Sequence, residues 1–215
     1  MTIRVLIADD HPIIRSGVRS ELSRDCDIQI VGEATNGDEA LAKTRELKPD
    51  VLVLDIRMPG LKISSVLDQL KVEENPARIL ILSAFGDSGN VLGAINLGAQ
   101  GYLLKDEAPA AIIQAVKTIA NGEPWFSGSV RSIVNDHMQG KLRLPSEILT
   151  EREYSILKCI AEGLSNLEIS EKLFVTERTV EFHISNLYRK IGVDTKVKAV
   201  LWAQENHVLD TSGNG

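Results

Sequence analysis

Apolar runs and apolar periods alternate along the first 126 residues. Ile3–Ala8, Ile28–Ala34, Val51–Asp55, Arg78–Ser83 and Gly101–Leu104 are short stretches rich in aliphatic side chains. Runs such as Val51–Leu54 are continuously apolar rather than alternating, which predicts strands of a parallel sheet covered on both faces. Between them lie segments of helical character: Pro12 to about Ser23, with Ile13, Ile14, Val18 and Leu22 on a period near 3.6, then Asp38–Leu47, Ser64–Val72, a helix within Ser88–Leu97, and Ala108–Asn121. Asn36-Gly37, Pro59-Gly60 and Gly122 punctuate them. Five strands alternating with five helices predict an α/β, flavodoxin-like (βα)5 domain over residues 1–126, with strand order 2-1-3-4-5. Pro124-Trp125-Phe126 closes it.

Residues 127–147 have mixed polarity and no sustained period, and are read as a semi-ordered linker with a short helix at Ile133–Met138. From residue 148 the pattern becomes purely helical, a small all-α domain over 148–210. Thr150-Glu-Arg-Glu153 and Ser165-Asn-Leu-Glu168 are capping boxes, each opening a helix. Phe174-Val175 turns the chain, and Thr176 caps a longer helix through Ile191 whose inner stripe is Val180, Ile184, Leu187 and Ile191. A last helix covers about Lys196–Glu205. A short helix, a tight turn and a longer helix make the helix-turn-helix layout. Residues 211–215 read as a disordered tail.

Composition narrows the function classes. The chain of 215 residues has a net charge of -6 and 43% apolar content, without an apolar run long enough to span a bilayer. The N-terminus has no signal-peptide pattern, so a cytoplasmic protein without membrane contact is expected. Cys26 and Cys159 lack metal-ligand spacing and read as free thiols. The acidic balance argues against blanket nucleic-acid binding but allows a local basic face.

The candidate chemistry lies where strands end. Asp9 and Asp10 follow the first strand, Asp55 ends the third, Ser83 ends the fourth and Lys105 follows the fifth. A carboxylate at such an edge is a metal ligand, a nucleophile or a helix cap. In the predicted order the first and third strands are neighbours, so the three carboxylates converge. Clustered carboxylates favour a hard divalent cation, most simply Mg²⁺. A carboxylate nucleophile, a metal, a hydroxyl and an ammonium suit phosphoryl transfer. His11 reads as a helix N-terminal residue near the site rather than a phosphate donor.

Two motif sets carry a family resemblance. Asp9-Asp10, Asp55-x-x-Met-Pro, Ser83-Ala84 and Gly101-Tyr-x-x-Lys105 resemble the receiver domain of two-component response regulators. Leu149-Thr-x-Arg-Glu, Gly163-x-Ser-Asn-x-Glu-Ile, Thr179-Val and Lys190-x-Gly-Val193 resemble the LuxR-type helix-turn-helix. Together they are similar to the NarL/FixJ family over nearly the whole chain. The resemblance implies a transcription regulator rather than an enzyme. Asp55 would accept a phosphoryl group from a sensor histidine kinase, with Mg²⁺ held by Asp10, Asp55 and the backbone carbonyl of Arg57, and Asp9 assisting. Ser83, Ala84 and Lys105 would hold the phosphoryl oxygens, and Tyr102 would swing as Ser83 moves. Homodimers on activation and binding to double-stranded DNA follow from the same resemblance. Lys62-Ile63 stands where such receivers often carry an Asp-Gly or Asn-Gly pair, so another path is expected for the loop into the third helix. Gly89 and Gly93 weaken the fourth helix. Arg57 and Phe85 are expected to overhang the site and slow loss of the phosphoryl group.

Ser146–Gly215 holds eight basic against eleven acidic residues, yet Arg178–Lys198 has five basic against two acidic. The DNA-binding surface is therefore expected on the long helix, at Thr176, Arg178, Thr179, Glu181, Phe182, Ser185, Arg189 and Lys190, with its N-terminal part nearest the bases. Two other functions compete: a phosphatase with Asp55 as nucleophile, and a phosphorylation-dependent protein-interaction switch whose acidic C-terminal domain no longer binds DNA.

Overall fold

The computed structural model describes residues 2–140, 145–206 and 208. Strand β3 (Val51–Asp55) is buried at all five positions and forms the middle of the N-terminal unit. β1 (Ile3–Ala8) and β4 (Arg78–Ser83) flank it, then β2 (Ile28–Ala34) beyond β1, and β5 (Gly101–Leu104) and β6 (Trp125–Phe126) beyond β4. Every pairing is parallel, in the order β2-β1-β3-β4-β5-β6. The helices α1 (Pro12–Leu22), α2 (Gly37–Leu47), α3 (Ile63–Val72), α4 (Ser88–Asn96) and α5 (Ala108–Ala120) connect successive strands. Side chains alternate along each strand, so the sheet sorts its residues into two cores. One holds Leu6, Leu52, Leu54, Ile79 and Ile81 with residues of α2, α3 and α4. The other holds Val5, Ile7, Val51, Val53, Leu80 and Leu82 with residues of α1 and α5. Both faces of β3 are thus dry, which is what its unbroken apolar run requires.

The structure departs from the sequence pattern at two elements. The sheet has a sixth strand, β6, whose two residues are too few to show a period. Tyr102 pairs with Phe126, and Ser127 N–H donates to the Tyr102 carbonyl at 3.0 Å. The expected linker carries an eleven-residue helix, α6 (Gly128–Met138), beginning five residues before the short helix read from sequence. Val130 is buried and Ile133 and Val134 half-buried in the cluster that contains Ala94, Ala99 and Tyr102. That face is a single i, i+3, i+4 triplet, too narrow to stand out in the sequence. α6 is stabilised by packing more than by its own pattern. The remaining linker positions 141–144 and the expected tail, 211–215, lie outside the described residues.

The chain divides into two compact units, Met1–Asp136 and His137–Gly215. The second is helical: α7 (Pro145–Ile148), α8 (Glu151–Ala161), α9 (Asn166–Lys172), α10 (Glu177–Ile191) and α11 (Lys196–Glu205). Both capping boxes form, at Thr150 with Glu153 and at Ser165 with Glu168. Gly192, in the left-handed region at φ 74°, ends α10. Leu149, Ile156, Ile160, Ile169, Val180 and Leu187 meet in the core. Among the described residues no helix is long and apolar enough to cross a membrane.

Gly101 tests the β5–β6 edge. A Cβ there would lie 2.3 Å from Ile119 Cδ1 and 2.9 Å from the Trp125 carbonyl oxygen. The carbonyl belongs to the sheet and cannot retreat without breaking the pairing. Gly101→Ala should destabilise the protein by about 1–3 kcal/mol, the usual cost of overpacking. Urea unfolding followed by circular dichroism checks this, and an unchanged midpoint would contradict the packing.

Candidate functional site

Ala8 pairs with Leu54, so the residues that follow them, Asp9 and Asp55, leave the sheet side by side. Both are buried, at 0% and 4% exposure. Asp10, half-buried, and His11, the exposed N-cap residue of α1, complete a group whose ligand atoms lie within 4.8 Å of one another. His11 Nδ1 is 2.7 Å from Asp10 Oδ1. Lys105, just past β5, reaches across β4, and its ammonium is 2.8 Å from both Asp9 Oδ2 and Asp55 Oδ2. Ser83 is fully buried at the end of β4, and its hydroxyl accepts the Phe85 N–H at 3.0 Å. Ala84 is exposed beside it. The Arg57 backbone N–H donates to Asp55 Oδ1 at 3.3 Å, and the guanidinium lies 3.9 Å over the Phe85 ring. The sequence-derived residues Asp9, Asp10, Asp55 and Lys105 are thus in one place, with Ser83 on the intervening strand. One contributor was not foreseen: Arg15, one turn into α1, donates to the Asp9 carbonyl at 2.8 Å and to Glu33 at 2.9 Å.

In the C-terminal unit, Val180 and Leu187 of α10 are buried and Ile184 and Ile191 half-buried. Arg178, Glu181, Phe182, Ser185 and Arg189 are exposed. Phe182 is 64% exposed and sits edge-on to the half-buried His183. Thr176 and Thr179 share a hydroxyl–hydroxyl hydrogen bond of 2.9 Å in the N-terminal cap.

Comparison with known proteins decides the family. Residues 5–117 match the response regulator receiver domain, and residues 147–203 match the luxR family of bacterial regulatory proteins. The chain belongs to the response regulators with a luxR-type C-terminal domain. It is 38% identical over 210 residues to the transcriptional regulatory protein LiaR of Bacillus subtilis, covering 97% of this chain and all of that protein. Among solved structures it resembles the response regulator ChrA of a heme-sensing two-component system at 35% identity and TM-score 0.54, covering 96% of this chain and 98% of that one. It also resembles the receiver domain of the putative response regulator NarL of Mycobacterium tuberculosis at 39% identity and TM-score 0.55, covering 57% of this chain and 98% of that one.

Receiver domains generally bind Mg²⁺ in an acidic pocket, and the donors gathered in this response regulator are the hard carboxylate oxygens that ion takes. Burial raises the Asp55 pKa above its ordinary value; Lys105 pulls it back and Asp9 adds to the rise. Burial lowers the Lys105 pKa, but its bonds to Asp55 and Asp9 outweigh burial and hold it above the ordinary value. Burial pushes the Tyr102 phenol up to about 12. Tyr102 is fully buried and its hydroxyl donates to the Phe85 carbonyl, so this response regulator already holds the ring inward.

Lys190, expected from sequence on the DNA-binding surface, is bonded within its own unit. Its ammonium is 2.6 Å from the Glu153 carboxylate, which also accepts from the Thr150 N–H and hydroxyl. The lysine is therefore engaged in joining the end of α10 to the start of α8.

A carboxyl whose pKa rises on folding contributes most stability below its unfolded value, here 3.8, and loses that contribution as pH rises through the folded value. Ionised Asp55 therefore weighs against the fold at neutral pH. Asp55→Asn should raise the melting temperature at pH 7, with the gain shrinking as pH falls into the carboxylate range. Added Mg²⁺ should stabilise the wild type but not the variant. Glu153 has the opposite sign: burial raises its pKa, but Lys190 and Thr150 overcome this and lower it. Its contribution is present above the unfolded value and lost as pH falls through the folded one. Lys190→Ala, which strips a buried carboxylate of a partner, should cost about 1–3 kcal/mol at pH 7. It should leave the salt dependence of DNA binding nearly unchanged, as titration over a range of salt concentrations will show.

Proposed function

We propose that a sensor histidine kinase phosphorylates this response regulator on Asp55, and that the phosphorylated chain dimerises and regulates transcription from DNA in the cytoplasm. The observation that carries this reading is the Lys105 ammonium bridging Asp9 and Asp55 at a buried strand edge. An Asp55 oxygen attacks the phosphorus of a phosphohistidine; the P–O bond forms as the P–N bond breaks, and the imidazole keeps the electron pair and takes a proton. Asp10, Asp55 and the Arg57 carbonyl, with Asp9 behind them, would hold Mg²⁺, which would supply charge neutralisation for this step. Ser83, the Ala84 N–H and Lys105 receive the phosphoryl oxygens. The added charge of about -1.5 to -2 draws Ser83 and Lys105 inward and favours the packing in which Tyr102 stays in. Arg57 stacked on Phe85 covers the approach of water, which lengthens the life of the acyl phosphate. No acid stands two residues past Asp55 to protonate a leaving group, so self-phosphorylation rather than phosphatase turnover is its chemistry.

Receiver function belongs to residues 1–126, DNA binding to 148–210, and the connection to 127–147, which carries α6. Helix α10 enters the major groove with Glu181, Phe182 and Ser185 nearest the bases. Glu181 accepts from cytosine N4, and the exposed Phe182 contacts thymine methyls. Arg178, Arg189 and the capping Thr176 and Thr179 lie along the phosphates. So few cations make one copy a weak binder and two copies on paired half-sites the working form.

Treatment with acetyl phosphate and Mg²⁺, read by intact mass, should add one phosphoryl group to the wild type and none to Asp55→Asn. Retention of the adduct by the variant would displace Asp55. Selection from random duplexes should return paired half-sites, and Glu181→Gln should shift one base preference per half-site by about 1–3 kcal/mol. If no duplex is retained, the acidic C-terminal unit acts instead as a phosphorylation-dependent protein-interaction switch.

A further inference from the structure

The loop between β3 and α3 carries the Arg57 carbonyl and the Arg57 side chain. Its sequence lacks the Asp-Gly or Asn-Gly pair that receivers often have there, and something else must hold it. Two bonds from the first turn of α2 do so. The Gly37 N–H donates to the Pro59 carbonyl at 3.0 Å, and the Asp38 carboxylate accepts the Leu61 N–H at 2.9 Å. The contact is close on both sides. A Cβ on Gly37 would fall 1.9 Å from the Leu61 carbonyl oxygen, and one on Gly60, at φ 82°, would fall 2.3 Å from Asp38 Oδ2. Asn36 accepts the Glu39 N–H and fixes the start of α2, so the helix end offers a firm base.

The geometry points to Asp38 as a positioning residue for the phosphoacceptor site: its carboxylate pins the β3–α3 loop and so sets where the Arg57 carbonyl stands as an Mg²⁺ ligand. This rests on the Asp55 site proposed above and adds a residue outside it. Asp38 is exposed and belongs to another element, four residues past the end of β2. It does not touch the reacting atoms. It acts by restricting the backbone of residues 59–61, just beyond the ligand. Removing groups that orient a metal ligand from outside typically costs about 10–100-fold in metal affinity.

The test uses the full chain, with Mn²⁺ titrated by electron paramagnetic resonance, Mg²⁺ as competitor, and hydrogen exchange of residues 57–62 read in parallel. Asp38→Ala should weaken Mg²⁺ binding by about 10-fold and speed exchange at the Leu61 amide. Phosphorylation by acetyl phosphate should slow at low Mg²⁺ and recover at saturation. Asp38→Asn, whose side-chain oxygen still accepts the Leu61 N–H, should behave like wild type. Wild-type affinity in Asp38→Ala would overturn the clamp. So would equal weakening in both variants, which would assign the effect to lost charge. Asp55→Asn separates the two ideas: if it binds Mg²⁺ as tightly as wild type, the ion sits elsewhere and the site reading falls with the clamp.

Discussion

Two buried carboxylates held by one ammonium are the constraint on which the N-terminal unit turns. Asp9 and Asp55 emerge from adjacent parallel strands because Ala8 and Leu54 are in register, and like charges so close in a dry edge are unfavourable alone. Lys105 offsets that repulsion from two strands away. The strands' order and the apolar filling on both sheet faces serve to bring three side chains from separate parts of the chain to one spot. Burial, with Asp9 adding to it, still leaves the Asp55 pKa above its ordinary value, so Lys105 compensates only in part.

Much of this was legible in the sequence. Val51–Asp55 reads as a buried strand because its apolar run stops at an acid, and the same break at Asp9, Ser83 and Lys105 marks the other edges. The capping boxes at Thr150 and Ser165 are legible for a local reason: both partners lie within four residues. Side-chain partners distant in sequence were not legible. Nothing near Lys190 distinguishes a lysine that will meet a phosphate from one bonded to Glu153, thirty-seven residues away. Arg15 on the Asp9 carbonyl and Asp38 on the Leu61 amide are hidden in the same way.

The longer helix within the linker shows the other limit. Val130, Ile133 and Val134 make one turn of apolar face, below what a period can reveal. β6 is two residues long and is defined by its pairing with β5. Both elements are held by tertiary contacts more than by local propensity.

The way the sheet ends bears on how two copies can meet. A long, flat outer strand invites another chain to add to it through backbone hydrogen bonds. Here one border is only Trp125–Phe126, after which the chain turns into α6. The opposite border, β2, is irregular in its pairing with β1, where the register shifts between Val5 and Leu6. Neither border is a good template for strand addition. Growth into a fibre by strand addition is thereby disfavoured at both borders.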